Sequence, residues 1–372
     1  MLGYMSLGFW LKWRVLPFPD PIEWFRHSWG NMAYSDLVGI YIRDGLGAHP
    51  IPYLQTRLEY PVVAGIFQYL ASWAPGVGWY FAALSALLTA SALGVFWAIT
   101  QMSPRSSFWV FAATPPLVLY GTLNWDLLGI LFLLMSLLLF EKDRDGWSAL
   151  FLTLGIWTKL FPAVLLPWMV LTRVREGQWR RLLLFGGVML SVSVVLNLPF
   201  YLGNADGWLY TLRFHANRPP DGGSVWTYLP GISVDWVDRW SLLIGAAGAA
   251  GAGIMALTRR WGVAKPALVA LACLFLTLKV TSPQYDLWVV PFLALATAPA
   301  WLVGLFMGAD LLYCWVSFQA LYVASGGHGV LGGMQPVALY GANLAHQLAL
   351  LVVLLWAAGA TGWCLHRRHP HP

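Results

Sequence analysis

Charged side chains are scarce in this 372-residue chain: Asp, Glu, Lys and Arg make up 10% of it, while hydrophobic residues reach 59%. Soluble globular proteins carry roughly 25% charged residues, and a surface facing water cannot be covered with so few. The shortage excludes a secreted disulfide scaffold, a nucleic-acid-binding domain and a disordered regulator. It leaves an all-α, polytopic integral membrane protein whose outer surface is largely lipid-facing. Cysteine is scarce as well. Cys273, Cys314 and Cys364 each stand alone in an apolar run, without metal-ligand spacing and in an odd number, which argues against a disulfide framework. No P-loop, dinucleotide fingerprint, His-Glu-x-x-His or zinc pattern occurs. An ATP-driven pump and a membrane zinc protease are therefore disfavoured, and neither metal nor cofactor is expected. There is no strong internal repeat, and the small-residue run Gly245–Gly253 reads as a surface for close helix packing.

What is present is a series of apolar runs. About 20 apolar residues cross a bilayer core, and on that ruler the expected spans are 2–19, 77–101, 107–123, 125–140, 147–158, 160–172, 182–202, 239–258, 264–280, 286–302, 303–323 and 340–363. They form one domain over 1–372, a bundle of about 11–12 transmembrane helices. The first run is short, is interrupted by Lys12 and Arg14, and has no cleavage site after it, so it reads as an anchor. The apolar stretch 62–74, opened by Glu59 and Pro61, is too short to cross and reads as an interfacial helix.

The formal net charge of +6 follows from where the cations sit. Arg105, Lys142, Arg144, Arg173, Arg175, Arg180, Arg181, Arg259, Arg260, Lys265, Arg367 and Arg368 all fall on one side of the partition, which the positive-inside bias assigns to the cytoplasm. The other side carries the long connections 20–61, 203–238 and 324–339, with short turns near 124–126, 158–160 and 281–286. Acids and bases are nearly balanced there, so orientation does not explain them, and charges held against a membrane are where chemistry is placed. The 23 tryptophans suit headgroup depth; Trp24, Trp29, Trp125, Trp147, Trp179, Trp208, Trp226 and Trp288 sit at expected span ends and read mostly as an aromatic belt.

Within the first external loop, Asp36, Gly39, Ile40 and Arg43 lie at helical spacing. An amphipathic helix there presents Asp36 on a defined face, where it reads either as a proton acceptor for a substrate hydroxyl or as a helix-capping residue beside Ser35. Glu59 reads as a base or metal ligand, or as a first-turn acid of the helix that Pro61 opens. Asn124-Trp125-Asp126 either caps the next helix or contacts substrate. Lys159 and Lys279, each in apolar surroundings near a helix break, either snorkel or find an anionic partner; with Arg213, His215 and Arg218 they could converge on a phosphate. Asp310 within a span reads as a functional acid or a helix–helix contact, and His328 as a loop residue.

In order along the chain, Tyr34-Ser35-Asp36, Tyr41, Pro52-Tyr53, Glu59-Tyr60-Pro61, Asn124-Trp125-Asp126, Lys159-x-x-Pro162, Arg218-x-x-Asp221-x-Gly223-Ser224-x-Trp226 and Ser282-Pro283-Gln284-Tyr285 resemble actinobacterial members of glycosyltransferase family 87. The similarity spans about 33 to 295. These are GT-C-type integral membrane enzymes that use polyprenyl-phosphate sugars, commonly mannose. The resemblance implies transfer of a sugar with inversion to a glycolipid or glycan acceptor, in a plasma-membrane protein whose active site faces the extracytoplasmic side. It implies Asp36 as general base with Glu59 as its catalytic companion. Lys159, Arg218 and Lys279 become the donor phosphate-binding cations, and Tyr41, Asn124, Asp126, Gln284 and Tyr285 the substrate-positioning residues. The partners implied are the lipid-linked donor, the acceptor and membrane lipids, with no nucleic acid. The rival class is a transporter or lipid-linked-sugar flippase, which predicts inverted repeats and ionisable groups at mid-membrane; the unexplained charges cluster in loops instead.

Overall fold

The computed structural model describes residues 1–16, 20–103 and 106–359; Arg105, Cys364, Arg367 and Arg368 lie outside them. The described residues form no strand, and their helices run α1 Leu2–Trp13, α2 Pro21–Gly30, α3 Asp36–Arg43, α4 Val62–Ser72, α5 Gly76–Met102, α6 Trp109–Ala112, α7 Pro115–Tyr120, α8 Asp126–Glu141 and α9 Asp145–Thr158. They continue as α10 Leu166–Arg175, α11 Trp179–Gly203, α12 Ala205–Asn217, α13 Val234–Arg259, α14 Ala264–Thr277, α15 Val290–Leu295, α16 Ala300–Ala324 and α17 Gln335–Ala357. Among these residues five helical stretches, at α5, α11, α13, α16 and the stretch ending in α17, are long and apolar enough to cross a membrane. A helix rises about 1.5 Å per residue, so 25 residues exceed the hydrocarbon thickness of about 30 Å. The protein is a multi-pass membrane protein.

The expected partition is matched at α5, α8, α9, α11, α13, α14 and α17, and α4 lies where the short apolar stretch was placed. The first expected run, 2–19, yields only the twelve-residue α1, and its last residues 17–19 lie outside the described ones. The partition differs at three further places, each at a proline. The run 107–123 splits into α6 and α7, restarted at Pro115. The run 160–172 opens as a tight 3-10 turn, Phe161–Leu165, before α10. The runs 286–302 and 303–323 become a broken entry, α15, and one long helix, α16, with Thr297 at φ +50° and Pro299 before the restart. Proline lacks the N–H that a helix interior needs, and is accommodated only in a first turn.

Broken helices expose backbone carbonyls, which in a membrane protein must find donors inside the protein. Lys12, an apparent flaw in the first apolar run, serves this need: it is 2% exposed, and its Nζ donates to the carbonyls of Leu119 at 2.9 Å and Val118 at 3.4 Å. The indoles of Trp24, Trp125 and Trp288 are fully buried, so these three belong to the core and not to an aromatic belt; Trp147 and Trp179 remain exposed.

The basic clusters gather at one end. Buried Arg173 binds Asp145 at 2.8 Å, Glu176 at 3.0 Å and the Phe140 carbonyl at 2.9 Å. Arg175 donates to the Leu257 carbonyl and Arg259 to that of Ala358, tying the same ends of α9, α10, α13 and α17 together. The opposite end is built from long connections stitched by side chains. Ser35 Oγ reaches the carbonyls of Thr122 at 2.9 Å and Leu123 at 3.0 Å; Tyr53 donates to the Tyr60 carbonyl at 2.7 Å and Thr211 to that of Leu58 at 2.8 Å. The Arg218–Trp226 stretch is pinned to the end of α14: Ser224 Oγ donates to the Leu278 carbonyl at 2.9 Å and Trp226 Nε1 to that of Thr277 at 2.7 Å.

Gly223 lies where these segments touch, and a β-carbon there would overlap the Thr281 carbonyl and the Tyr313 hydroxyl. Gly223→Ala is expected to destabilise the protein by roughly 1–3 kcal/mol, the usual cost of overpacking, read as a lower Tm of the purified protein in detergent.

Candidate active site

Asp36 opens α3, yet its side chain does not cap it. The N-cap is Ser35, whose hydroxyl is spent on Thr122 and Leu123. Freed from the helix end, the Asp36 carboxylate is half-buried and accepts on Oδ2 from Tyr60 at 2.9 Å and from Asn124 Nδ2 at 3.2 Å, with the Tyr34 hydroxyl as a further donor. Burial first, then the nearby Asp36 charge, pushes both phenols above their ordinary value, so they stay protonated as donors. Asn124 caps the next helix and also reaches Asp36. Its Oδ1 accepts from the Asp126 N–H at 3.1 Å while its Nδ2 holds Asp36.

Glu59 is half-buried beside this cluster and pairs with Arg43 at 3.0 Å; Arg43 also binds Asp44 at 2.6 Å. Burial pushes the Glu59 carboxyl up, Arg43 opposes the shift, and the Asp36 charge adds to it. Its backbone carbonyl meets His215 Nε2 at 3.0 Å. The imidazole is pushed below its ordinary value, by burial first and then by the positive charges of Arg218, Lys159 and Lys279. The three cations singled out by sequence are therefore all within electrostatic reach of one side chain at the rim of the Asp36 cluster.

The cations are not equally available. Lys159 is ion-paired with buried Asp126, which also accepts from Trp288 Nε1 at 2.6 Å; the ammonium lies 5.1 Å from the Tyr285 ring centre and 5.4 Å from that of Phe161. Lys279 Nζ is held between Asp238 Oδ1 and the Ala216 carbonyl, both at 2.6 Å. Asp126 thus serves as counter-ion to Lys159. Arg218 makes no ion pair among the described residues, although the Asp221 charge acts on it, and lies 5.9 Å from the Phe214 ring centre. Gln284 and Tyr285 stand half-buried on the Pro283–Trp288 turn, with Tyr285 packed on Phe161 and Phe275. Tyr41 leaves α3 on another side and packs on Tyr80, ring centres 4.7 Å apart; no contact joins it to Asp36 among the described residues.

A separate buried group has ligand atoms close enough for a metal ion: Asp286, Asp310 and His346 lie within 4.8 Å of one another. His346 Nε2 meets both Asp286 oxygens at 2.9 Å, and Tyr120 donates to Asp310 at 2.8 Å. These bonds join the Pro283–Trp288 turn to α17, and α7 to α16, so Asp310 makes an interhelical contact. His328 is exposed in a loop.

The chain belongs to glycosyltransferase family 87, whose profile matches residues 58–283, more than half of the sequence. The matched stretch includes Glu59, Asn124, Asp126, Lys159, Arg218 and Lys279; Asp36 lies before it, and Gln284 and Tyr285 just after. The chain is also similar to the undecaprenyl phosphate-alpha-4-amino-4-deoxy-L-arabinose arabinosyl transferase 2 of Pseudomonas fluorescens (strain Pf0-1), at 27% identity over 158 residues, covering 37% of this chain and 26% of that protein. The chain thus spans about a quarter of the length of the curated relative it matches.

Tyr34 and Tyr60 flank the acids in Tyr34-Ser35-Asp36 and Glu59-Tyr60-Pro61, but only the fold shows that both phenols act on Asp36. Two expectations follow from the geometry. Lys159→Met leaves Asp126 buried and uncompensated, and should cost about 3–5 kcal/mol; adding Asp126→Asn, which keeps an acceptor for Trp288, should restore most of it in denaturant or thermal unfolding. Because the folded state holds His215 below its ordinary pKa of about 6.5, it binds fewer protons than the unfolded chain, and stability falls as pH drops through that value. Tm measured from pH 7.5 to 5 should fall more steeply in the wild type than in His215→Asn.

Proposed function

We propose that the protein transfers a sugar, with mannose the expected one, from a polyprenyl-phosphate donor to a glycolipid or glycan acceptor, with Asp36 as general base. The observation that carries this reading is the Asp36 cluster: a half-buried carboxylate held on one oxygen by Tyr60 and Asn124, beside a rim on which Lys159, Arg218 and Lys279 exert positive charge. In the proposed step the acceptor hydroxyl gives its proton to Asp36 as its oxygen bonds to the anomeric carbon from the face opposite the phosphate. The bond from that carbon to the phosphate oxygen breaks, and its electron pair leaves with polyprenyl phosphate, inverting the anomeric configuration.

Negative charge grows on the departing phosphate, from a diester to a monoester, so fixed cations favour the transition state over the ground state. Arg218 is the cation free to touch it; Lys159 and Lys279, held by Asp126 and Asp238, act at longer range. Glu59, steadied by Arg43, orients a sugar or acceptor hydroxyl together with Asn124, Gln284 and Tyr285. The donor class is supported by the printed activity of the Pseudomonas relative, which concerns an undecaprenyl-phosphate-linked sugar. The basic clusters at the opposite end favour an orientation in which this site faces the extracytoplasmic side of the plasma membrane.

Asp36→Asn keeps the size of the side chain and removes the proton acceptor. Transfer from polyprenyl-phosphate mannose in reconstituted membranes should fall by about 10²–10⁴-fold, the range of general acid–base catalysis, with Tm unchanged within a few degrees. Full activity in that variant would remove Asp36 from the role.

A further inference from the structure

Asp286, Asp310 and His346 come from three separate elements, the Pro283–Trp288 turn, α16 and α17, and all three are fully buried. Their ligand atoms lie within 4.8 Å of one another. The Asp310 carboxyl is within hydrogen-bonding reach of the Asp286 carboxyl, and His346 Nε2 stands 2.9 Å from both Asp286 oxygens. From 286 to 310 is 24 residues and from 310 to 346 is 36, so the sequence shows no metal-ligand spacing.

Two buried acids in contact need positive charge beside them. Among the described residues no lysine or arginine is ion-paired with either one; the pairing recorded for them is His346 on Asp286. Tyr120 gives Asp310 one neutral hydrogen bond, at 2.8 Å on Oδ1, and Asp310 Oδ2 has no hydrogen-bond partner. The imidazole is badly placed to be the missing cation. Its Nδ1 is buried without a partner, so a doubly protonated ring would bury a charged N–H that nothing accepts. A neutral imidazole with two carboxylates is instead a ligand set whose charge one dication cancels.

The spacing agrees with that reading. Ligand atoms about 2.0–2.2 Å from zinc and at right angles to each other stand roughly 3 Å apart, which is how Nε2 stands to the Asp286 oxygens. Outer partners already orient the ligands, as in known metal sites. The His346 ring is stacked on Tyr313, centres 4.9 Å apart, and Tyr313 is fixed by its bond to the Thr281 carbonyl at 2.9 Å. Tyr120 does the same for Asp310. We propose that Asp286, Asp310 and His346 bind one divalent transition-metal ion, with Zn²⁺ the best match to one imidazole and two carboxylates. The ion coordinates Nε2, leaves the imidazole proton on Nδ1, and ties the Pro283–Trp288 turn to α16 and α17. That turn carries Gln284 and Tyr285, and its Trp288 donates to Asp126. The inference does not depend on which reaction Asp36 serves.

Untagged protein from cells grown with added zinc is purified in detergent without chelator, and its metals are measured by plasma mass spectrometry. About one transition-metal ion per chain is expected; none above the buffer blank would overturn the proposal. Treatment of the wild type with dipicolinate should lower Tm by roughly 5 °C. Reloading with Co²⁺ should restore it and give the visible absorption band of nitrogen- and oxygen-bound cobalt. An unchanged Tm with no band would contradict the site, and this series stands even where a variant fails to fold. His346→Gln and Asp310→Asn, shown folded by Tm, should each lose about tenfold or more of the bound metal; undiminished metal in both would place the ion elsewhere. Asp36→Asn should keep its ion, and losing it there would move the site to the loop-rich end. A wild type that holds the metal but transfers no sugar would sink the glycosyl-transfer reading and leave this one standing.

Discussion

At this protein's loop-rich end the packing turns on how the Asp36 carboxylate is held. Two side chains from distant stretches, Tyr60 before α4 and Asn124 before α8, meet on one of its oxygens. Each of those residues is itself bound. Asn124 caps the start of α8 through the Asp126 N–H, and the Tyr60 backbone is held by Tyr53 and Thr211. Ser35 clamps the start of α3 to the turn that carries Asn124. Remove this convergence and α3, α4, α8 and α12 lose their common reference point.

The surrounding architecture is what a broken helix in a membrane demands. Where helices end inside the protein, the unpaired carbonyls of the last turn must be answered by the protein, and the responders are polar side chains that look misplaced in a linear reading: Lys12 on the carbonyls of Val118 and Leu119, Trp226 on that of Thr277, Ser224 on that of Leu278. The same need explains why the site consists of loop segments. Irregular backbone at this depth survives only where it is covered, and covering it brings the charged motifs into contact.

The helical class, the long spans and the segregation of basic clusters were legible in the sequence because lipid imposes length and composition directly. The acid at position 36 and the involvement of Asn124 were legible as residue types near helix starts. Pairing was not. That Lys159 would be matched by Asp126, Lys279 by Asp238, or that Tyr41 would turn toward Tyr80 depends on how helices far apart in sequence rotate against each other, and hydropathy carries no record of rotation. Trp288 shows the same limit: at the end of an apolar run it resembles an interfacial anchor, yet its indole is fully buried and donates to Asp126. Pro115 within 107–123, and Pro291 and Pro299 within 286–302, mark the breaks that the apolar count runs together.

The proposed reaction requires a sugar donor to lie between the Asp36 carboxylate and the cations that act on the rim beside it. A cryo-EM structure of the protein with a non-transferable polyprenyl-phosphate sugar analogue tests this most directly. The account predicts the anomeric carbon facing Asp36 across a gap that one acceptor hydroxyl fills, with the phosphate on the Arg218 side. Density for the sugar at the basic-cluster end, or a phosphate lying against Asp36 itself, would contradict it.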